Sequence, residues 1–537
     1  MVKSALERVG NHQVARSNRF AGLRKAATTW GRAIVIALAF VLQLVLVALA
    51  LSYLTQWSNW IYAAQLLLGI GVVTYIVHQR METTYKLAWV IPVLVAPVFG
   101  TAFYLLFGLR RTTRKRRALF DEALDHARKA IRLVGAASGL DDRALPPAVR
   151  RQITYLETAS HYTVFDATGT SYYPLGEEGF EAMLEAIGRA RRYVFAEYFI
   201  VAEGAMLDRF MAALAEKAAE GVDVRFLYDD LGSFFKLPVD FHDRCKELGI
   251  SVVAVNPVGL GFTLNFQSRD HRKILVVDGE VAFTGGINIA DEYINQNDRL
   301  GHWKDTVIRL TGPGAWGFTV MFLHMWELAT PGDVDYRSFV PTPHDDPTPL
   351  PARPAQGLVA PFDDSPFDGV SLGLDIHQQL LQAATRTVDI FTPYLIVNDA
   401  LIEQVRATAK SGVRVRIVTP HIPDKWYVHV VTRSYYRQLV DAGIEIYEYT
   451  PGFIHAKSML VDDDLAIVGT INMDFRSLFL HQECAVWVHQ TPGALEALRR
   501  DVEETIAVSQ RITEADLDRG IPKTVLAAVL GVFAPLM

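Results

Sequence analysis

Two stretches of this chain, HRKILVVDGEVAFTGGIN (residues 271–288) and HAKSMLVDDDLAIVGTIN (residues 455–472), repeat one pattern 184 residues apart. Each opens with His-x-Lys, has an aspartate five residues after the lysine, and ends on an asparagine 17 residues after the histidine. The shared positions are His271, Lys273, Asp278 and Asn288 in the first copy and His455, Lys457, Asp462 and Asn472 in the second. One such motif arises by chance in a long chain, whereas two with the same downstream spacing indicate a duplicated unit.

The sequence around each copy alternates between helix-like and strand-like runs. In the first half, FEAMLEAIGRARR (180–192) leads into YVFAEYFIV (193–201) and then GVDVRFLYDD (221–230). In the second half, QQLLQAATR (378–386) leads into VDIFTPYLIV (388–397) and then GVRVRIVTP (412–420). Strands flanked by helices predict an α/β fold. We therefore expect two α/β domains, over residues 151–340 and 358–510, joined by a Pro- and Asp-rich linker at 341–357.

The residue types of the motif suit transfer of a phosphoryl group through a covalent histidine intermediate. We expect each histidine to open a strand, with its lysine two residues on pointing to the same side. A neutral imidazole attacks a phosphodiester without charge repulsion, and a second, protonated histidine supplies a proton to the leaving alkoxide. We predict His271 as the nucleophile and His455 as the general acid. The two lysines, Asn288, Asn472 and Thr470 are predicted to hold the phosphate oxygens.

Each histidine also needs a carboxylate that fixes its tautomer. Asp305 lies 34 residues after His271 and Glu483 lies 28 residues after His455, each on the next strand-like stretch. We assign each carboxylate to the histidine of its own half. Asp278 and Asp462, although part of the repeated motif, end the histidine strands and are predicted to cap local turns rather than to act in catalysis.

Two other interpretations of the motif are weaker. Two unrelated core or surface histidines would not share the downstream spacing. A metal site is disfavoured because a lysine beside each histidine opposes a cation. Lys and Arg number 53 against 59 Asp and Glu, giving a net charge of −6, which argues against nucleic acid as the partner.

The N-terminal quarter is much more apolar than the rest. A basic segment (1–32) precedes three apolar runs at 33–54, 59–77 and 87–107, each long enough to span a bilayer. A basic, charged connector (108–150) follows, and an apolar tail (511–537) ends the chain, too short to span and expected on the core or the membrane surface. The sequence predicts a multi-pass protein of the cell membrane.

The basic flanks on both sides of the apolar runs indicate the topology. Residues 1–32 and 110–117 both belong inside by the positive-inside rule, so we expect two crossings, with 87–107 bent at Pro92, Pro97 and Gly100. The α/β domains are then predicted to be cytoplasmic.

At these residues the chain resembles the phospholipase D superfamily, and within it the bacterial cardiolipin synthases. The resemblance runs through FAEYFI, RDHRKILVVDG, GGINIADEY, GHWKDT, TPYLI and YEYTPGFIHAKSMLVDD with VGTINMDFRS, and covers roughly residues 60–537. It implies two phospholipase D-like domains related by pseudo-twofold symmetry behind a membrane region. One departure is threonine at 470, where serine is frequent.

The resemblance implies an enzyme that joins two phosphatidylglycerol molecules into cardiolipin and releases glycerol, without metal or other cofactor. Phosphatidylglycerol and other anionic phospholipids in a bilayer are then the expected partners. The same residues would serve a hydrolase of the phospholipase D type, which differs only in using water as the acceptor. A phosphodiester nuclease is disfavoured by the membrane segments and the acidic balance, and a non-enzymatic scaffold is disfavoured because every predicted catalytic position is filled.

Overall fold

The chain forms two compact units, which we call the small unit (1–112, 238–242 and 258–267) and the large unit (113–237, 243–257 and 268–537). A computed structural model provides the structure. The residues that it describes are 38, 40–46, 48–49, 56–79, 81–108, 114–135, 145–160, 162–257, 268–330, 332, 334–342, 357–517 and 520–536.

The described part of the small unit is mainly helical. Residues 38, 40–46 and 48–49 are helical. After them come α1 (Gln56–His78), α2 (Thr83–Val95) and α3 (Pro97–Phe103), followed by one π-helical turn, Tyr104–Gly108. The side chain of Glu82 caps α2 by accepting the backbone N–H groups of Thr84 and Tyr85. Pro97 stands at the first position of α3, where a missing N–H costs nothing. The apolar run 87–107 is therefore broken after Val95, close to the predicted bend.

The membrane prediction meets a mixed outcome in this unit. The first predicted span, 33–54, lies largely outside the described residues. The second, 59–77, falls inside α1. Among the residues that the structure describes, no helix combines the length and the apolar character that a membrane crossing requires.

The first half of the large unit is built on a seven-stranded sheet with the order β1-β8-β6-β5-β2-β3-β4. Strands β2, β3 and β4 are parallel, and β5, β6, β8 and β1 continue the sheet in antiparallel fashion. The strands of this sheet are β1 (Gly169–Tyr173), β2 (Tyr193–Tyr198), β3 (Asp223–Asp229), β4 (Ser251–Val255), β5 (Lys273–Val277), β6 (Val281–Gly285) and β8 (Val307–Thr311). The short strand β7 (His302–Lys304) lies outside this sheet.

The second half repeats this plan in an eight-stranded sheet with the order β19-β13-β12-β10-β15-β16-β18-β9. Its parallel strands are β10, β12 and β13, and the other pairings are antiparallel. The strands are β9 (Leu358–Asp364), β10 (Thr387–Phe391), β11 (Leu395–Ile396), β12 (Arg414–Pro420), β13 (Glu445–Tyr449), β14 (Gly452–Ile454), β15 (Ser458–Val461), β16 (Leu465–Gly469), β17 (Met473–Asp474), β18 (Glu483–His489) and β19 (Ser509–Ile512).

Helices follow the strands as the alternating pattern predicts. They are α4 (Arg114–Ala130), α5 (Pro147–Tyr155), α6 (Gly176–Gly188), α7 (Ala205–Ala219), α8 (Asp230–Ser233), α9 (Phe241–Glu247), α10 (Ala315–Ala329), α11 (Leu372–Ala383), α12 (Asp399–Lys410), α13 (Trp426–Val440), α14 (Phe475–Phe479), α15 (Pro492–Ala507) and α16 (Ile521–Phe533). The predicted mixed α/β fold with two similar halves is confirmed.

The two halves share one hydrophobic core. A single cluster of buried side chains runs from Phe195 and Ile308 in the first sheet to Ile417 and Trp487 in the second. Short strands also join the halves, since β7 of the first half pairs in parallel with β14 of the second. Because apolar side chains from both sheets are buried in one interior, the two halves of the large unit form one hydrophobic core.

Two predicted boundaries differ from the contacts that the structure shows. Helix α5 lies next to the predicted start of the first domain but packs on the second half, where Gln152 accepts a hydrogen bond from Trp487 at 2.7 Å and Tyr155 bonds to Asp375. Strand β19 extends the second sheet beyond residue 510. The linker 341–357 lies almost entirely outside the described residues.

Candidate active site

One cavity of the large unit, about 760 Å³ in volume, brings the two sequence repeats together. His271 and Asn288 come to its wall from the first half, and His455 and Asn472 come from the second. Its volume lies in the range of small-molecule sites, roughly 300–1,000 Å³.

The backbone holds each histidine against the opposite half. The N–H of His271 donates to the carbonyl of Gln482 at 2.8 Å, and the N–H of His455 donates to the carbonyl of Lys304 at 2.7 Å. Both acceptors immediately precede a predicted orienting carboxylate, Glu483 or Asp305. The two contacts are reciprocal, and each carries a carboxylate across to a histidine of the other half.

The two imidazoles are therefore oriented by crossed carboxylates. Nδ1 of His271 lies 2.9 Å from Glu483, and Nδ1 of His455 lies 2.6 Å from Oδ2 of Asp305. The prediction that each carboxylate serves the histidine of its own half was wrong, although both carboxylates contact a histidine. The reason is the docking of the two halves, since β7 and β14 pair directly in front of Asp305 and His455.

This arrangement selects the nitrogen that is free for chemistry. A carboxylate accepts hydrogen bonds and cannot donate when ionised, so the proton of each imidazole stands on Nδ1. The lone pair is then on Nε2, on the side of the ring away from the carboxylate. Attack on a phosphodiester requires one neutral imidazole on the cavity, and proton transfer to its leaving group requires a second imidazole that can gain a proton at Nε2.

Burial determines the charge state of the site. It lowers the pKa of His271 and of His455 well below the ordinary value, and the positive charges of Lys273 and Lys457 lower both further. Burial also lowers the pKa of Lys273 to about 8 and of Lys457 to about 7. Burial raises the pKa of Asp305 to about 6. A water-poor site of this kind strengthens every interaction with an anion.

Each lysine side chain folds back onto the backbone of the histidine two residues before it. Nζ of Lys273 donates to the carbonyl of His271 at 2.5 Å. Nζ of Lys457 donates to the carbonyl of His455 and lies 2.8 Å from Nδ1 of that ring. Each histidine stands just before its strand rather than on it, since β5 begins two residues after His271, at Lys273, and β15 begins three residues after His455, at Ser458. The role of the lysines as phosphate ligands stays a prediction.

The two asparagines occupy equivalent places on the cavity wall. Oδ1 of Asn288 accepts the N–H of Ile200 at 2.9 Å, and its Nδ2 donates to the hydroxyl of Tyr293 at 2.7 Å. Nδ2 of Asn472 donates to Ser477 at 3.1 Å. Each amide nitrogen carries two hydrogens, so one hydrogen of each is left for a phosphate oxygen.

Thr470 does not reach the cavity, and the prediction that it holds a phosphate oxygen was wrong. Its side chain is fully buried, and its hydroxyl donates to Oε2 of Glu483 at 2.5 Å. The equivalent residue of the first half is Gly286, where an added Cβ would lie 1.9 Å from Oδ1 of Asp305. Thr470 therefore positions Glu483, while the bare backbone at Gly286 makes room for Asp305.

Asp278 and Asp462 bind backbone, as the strand-end positions indicated. Asp278 accepts the N–H groups of Arg191, Arg192 and Tyr193, each at 2.8 Å. Asp462 accepts the N–H groups of residues 385, 386 and 387 at 2.7–2.8 Å. Neither aspartate lines the cavity. Each fastens the start of a parallel strand, β2 or β10, to the end of its histidine strand.

Sequence reasoning missed the aromatic rings that pack on the histidines. Trp303 lies 5.5 Å from the ring of His455, and His481 lies 5.5 Å from the ring of His271, measured between centroids. Each stands two residues before an orienting carboxylate, Asp305 or Glu483. Aligning HWKD (302–305) with HQE (481–483) would have shown this pair.

His481 is the titratable member of that pair. Both of its ring nitrogens are buried and have no hydrogen-bond partner among the residues that the structure describes, and Nδ1 lies 3.8 Å from Oε1 of Glu483. Burial lowers its pKa to about 4, so the ring is neutral near pH 7. It lines the cavity beside His271.

His271, His481 and Glu483 are also the described residues best placed for a metal ion, with ligand atoms within 4.8 Å of one another. A cation there would compete for the Nδ1 contact between His271 and Glu483. It would also meet the positive charges of Lys273 and Lys457 that lower the pKa of His271. The donor set is therefore poorly suited to a resident metal.

Comparison with known proteins agrees with this geometry. The family described as "Cardiolipin synthase, PLD-like domain" matches residues 183–305 and 378–506, one match in each half. The family described as "Phospholipase_D-nuclease N-terminal" matches residues 67–108. The crystal structure of phosphatidylserine synthase from Haemophilus influenzae superposes with a TM-score of 0.53 at 13% identity, over 73% of this chain and 98% of that chain. That likeness concerns the fold alone.

Full-length relatives carry the comparison further. An uncharacterized protein of Streptococcus mutans is 36% identical over 475 residues, which are 87% of this chain and 100% of that protein. A cardiolipin synthase of Halalkalibacterium halodurans is 30% identical over 90% of this chain and 96% of its own length. Cardiolipin synthase 2 of Bacillus cereus is 31% identical over 82% of this chain and 84% of its own length. The chain therefore belongs to the cardiolipin synthase family of phospholipase D-like proteins.

Proposed function

We propose that this chain is a phosphatidyltransferase that converts two phosphatidylglycerol molecules into cardiolipin and glycerol. The observation that carries the proposal is the pair of buried imidazoles on one cavity, each held at Nδ1 by a carboxylate from the other half. Family membership supplies the substrate class, and the geometry supplies the chemistry.

The first half-reaction forms the covalent intermediate. Nε2 of His271 attacks the phosphorus of one phosphatidylglycerol, and a P–N bond forms while the P–O bond to the head-group glycerol breaks. Nε2–H of His455 gives its proton to the departing oxygen, so glycerol leaves as a neutral alcohol. Glu483 stabilises the charge that develops on His271, and Asp305 stabilises the protonated state of His455.

The second half-reaction reverses the roles of the groups. Neutral His455 takes the proton from a hydroxyl of a second phosphatidylglycerol, whose oxygen attacks the phosphorus held on His271. The P–N bond breaks, a new P–O bond forms, and cardiolipin is released with His271 restored. The proton that His455 gives to glycerol in the first step is replaced in the second step by the proton of the acceptor hydroxyl, so the enzyme ends in its starting state.

The charge state of the site explains how His455 gains its starting proton. In the free site the positive charges of the lysines and burial keep both imidazoles neutral. A bound phosphodiester brings one negative charge into the same low-dielectric cavity, which favours the protonated form of an adjacent imidazole. His455 has Asp305 at 2.6 Å to support that proton. Binding of the anion and protonation of the acid are thereby coupled.

The oxygens that do not leave need donors in the transition state. Asn288 and Asn472 line the cavity with one free N–H each, and the ammonium groups of Lys273 and Lys457 lie immediately behind the histidines. Lysines with a lowered pKa still carry their proton when an anion is bound beside them. We assign these four residues to the phosphate oxygens.

Attachment to the membrane belongs to the same proposal. The apolar runs 33–54, 59–77 and 87–107 and the exposed apolar side chains of α1, such as Leu67 at 69%, support a bilayer-bound N-terminal region. With residues 1–32 and 110–117 on the inside, the catalytic halves are cytoplasmic. Lipid substrates then reach the cavity by diffusion within one membrane.

The test is a reaction of the purified full-length protein in phosphatidylglycerol vesicles, with lipids and free glycerol quantified together. We expect one glycerol per cardiolipin. His271→Ala and His455→Ala should each lower turnover by about a thousandfold or more, since each removes a group that takes part in bond breaking. His126→Ala, a histidine on α4 paired with Glu327, is the matched control and should keep full activity.

The products distinguish the transferase from a hydrolase that uses the same residues. Phosphatidic acid as the dominant product would replace the proposal by a phospholipase D-type hydrolase. Full turnover in either histidine variant would refute the two-histidine mechanism.

A further inference from the structure

Exposed apolar side chains of the large unit concentrate beside the cavity. Trp426 is 62% exposed and stands between Lys425 and Tyr427, which both line the cavity. Phe235 is 84% exposed and directly precedes Lys236, which lines the cavity from the first half. When several large apolar side chains cluster on a protein surface, they mark an interaction site.

The largest part of this surface belongs to α16. Ile521, Val525 and Val529 are spaced four residues apart and are all exposed, at 79%, 56% and 53%. Residues at this spacing lie on one face of a helix. The opposite face carries Leu530, and together with Ala534 just beyond the helix it packs against a small cluster of Ile396, Val428, Val431 and Phe475. We call the outward face of α16, with Trp426 and Phe235, the apolar rim.

The apolar rim is continuous with the cavity wall. After α16 the chain supplies Ala534 and Leu536 to the wall, and the carbonyl of Leu536 accepts a hydrogen bond from Arg476 at 2.7 Å. Helix α13, which begins at Trp426, is the helix on which α16 packs. The residues that directly follow α16 therefore line the same cavity as the two histidines.

We propose that the apolar rim docks on the surface of a lipid bilayer and delivers the head groups of both substrates into the cavity while their acyl chains stay in the membrane. This inference rests on the proposed function. A cavity of about 760 Å³ suits head groups, and the acyl chains of a phospholipid need an apolar medium at its mouth. The rim is the apolar surface that adjoins the mouth.

The composition of the rim suits a bilayer surface. Helix α16 has one charged residue, Lys523, and exposed Trp426 begins α13, the helix on which α16 packs. Tryptophan rings favour the level of the head groups, and lysine reaches past apolar surface to the phosphates. Cationic Lys236, Arg299 and Lys425 lie around the mouth, balanced in part by Glu292 and Asp424. Exposed Arg299 is placed to meet anionic head groups.

The experiment measures where α16 lies in the full-length protein. Val529→Cys and Val525→Cys carry an environment-sensitive fluorophore, and Val508→Cys, at a 48% exposed apolar position away from α16, is the control. The native thiols, Cys245 and Cys484, are buried. The proteins are reconstituted into phosphatidylcholine vesicles with phosphatidylglycerol, with and without lipids that carry a nitroxide on the acyl chain.

We expect the probes at 525 and 529 to shift to shorter wavelength and to be quenched by the nitroxide lipids, with the probe at 508 unaffected. Equal, weak quenching at all three sites would overturn the proposal. A wavelength shift without lipid quenching would also overturn it, since α16 would then be covered by protein, from a second copy or from another part of the chain. Quenching needs no turnover, so failure of the wild type to form cardiolipin would refute the proposed function separately.

A kinetic measurement tests the same surface by activity. Val525→Ser with Val529→Ser should lower the rate on vesicles roughly tenfold, because affinity for a membrane scales with buried apolar area. The rate on a short-chain phosphatidylglycerol dissolved as monomers should be unchanged, and Val508→Ser should change neither rate. An equal loss on vesicles and on monomers would overturn the docking role of the rim.

Discussion

The crossed carboxylates predict which step fails when each one is changed. Glu483→Gln and Asp305→Asn keep the shape of the side chain and remove its charge. The amide also offers an N–H to Nδ1, which favours the tautomer with its proton on Nε2. A hydrogen bond to a charged group is worth about 1.5–3 kcal/mol, and 1.36 kcal/mol is a factor of ten in rate, so the affected step should slow by about 10- to 150-fold.

A substrate with a good leaving group separates the two steps. Phosphatidyl-p-nitrophenol releases nitrophenolate without needing a proton, so formation of the intermediate depends on the nucleophile alone. In a rapid-mixing assay Glu483→Gln should slow the burst of nitrophenolate, as His271→Ala abolishes it. Asp305→Asn and His455→Ala should keep the burst and slow the later turnover, because His455 activates the acceptor.

Two outcomes would refute this reasoning: one concerns the pairing of the carboxylates, and the other concerns which histidine is the nucleophile. A burst that needs His271 and Asp305, but not Glu483, would show that the carboxylates serve their own halves in solution. A burst that needs His455 and Asp305 would keep the crossed pairing and exchange the nucleophile and the acid. Tm should stay near that of the unchanged protein in the two carboxylate variants, which excludes unfolding as the cause.

Three further predictions follow from the same geometry. Turnover should fall at acid pH as Asp305, with its pKa raised to about 6, gains a proton, and at alkaline pH as Lys457, with its pKa lowered to about 7, loses one. A pH profile of turnover checks this. Lys457→Arg should shift the alkaline fall to higher pH, because arginine keeps its charge. Asp278→Ala should lower the free energy of unfolding by about 1–3 kcal/mol while kcat at low temperature is kept, since Asp278 binds three backbone N–H groups; a large loss of kcat in folded protein contradicts it. His481→Ala should slow the burst about 2- to 10-fold, the worth of one aromatic contact, and His481→Phe should restore it; an unchanged burst in the alanine variant contradicts a positioning role for the ring.

The strand pattern within each half could be predicted from the sequence because it is a local property. The runs at 193–201 and 412–420 contain β2 and β12, and the helical run at 180–192 overlaps α6. That the two histidine motifs form one site could be predicted as well, and the structure places His271 and His455 on one cavity. Duplication with constant spacing carried both inferences.

The partner of each carboxylate could not be predicted, because it depends on how the two halves dock. That docking is made by pairs such as β7 with β14, three residues long, and by a bridge between Asp270 and Gln482. Three residues of strand carry no recognisable pairing signal in a sequence. Spacing along the chain indicated the two carboxylates that contact the histidines but paired each with the wrong histidine.

Thr470 shows a second limit of sequence reasoning. Its hydroxyl is a suitable phosphate donor by type, and its position beside Asn472 favoured that role. The side chain instead turns toward Glu483, because the N–H of residue 470 is already bonded to the carbonyl of Cys484 at 2.9 Å. Which side of the backbone a short side chain takes is decided by the neighbouring strand.

The exchange of carboxylates between the halves has a consequence for synthesis of the chain. When the first half has left the ribosome, His271 and Asp305 are both present, but the partner of each is still to be translated. His271 gains its orienting carboxylate only when residue 483 arrives and the second sheet has formed. A partly made chain therefore has neither histidine paired with its carboxylate, and both pairs form only when the second half has folded against the first.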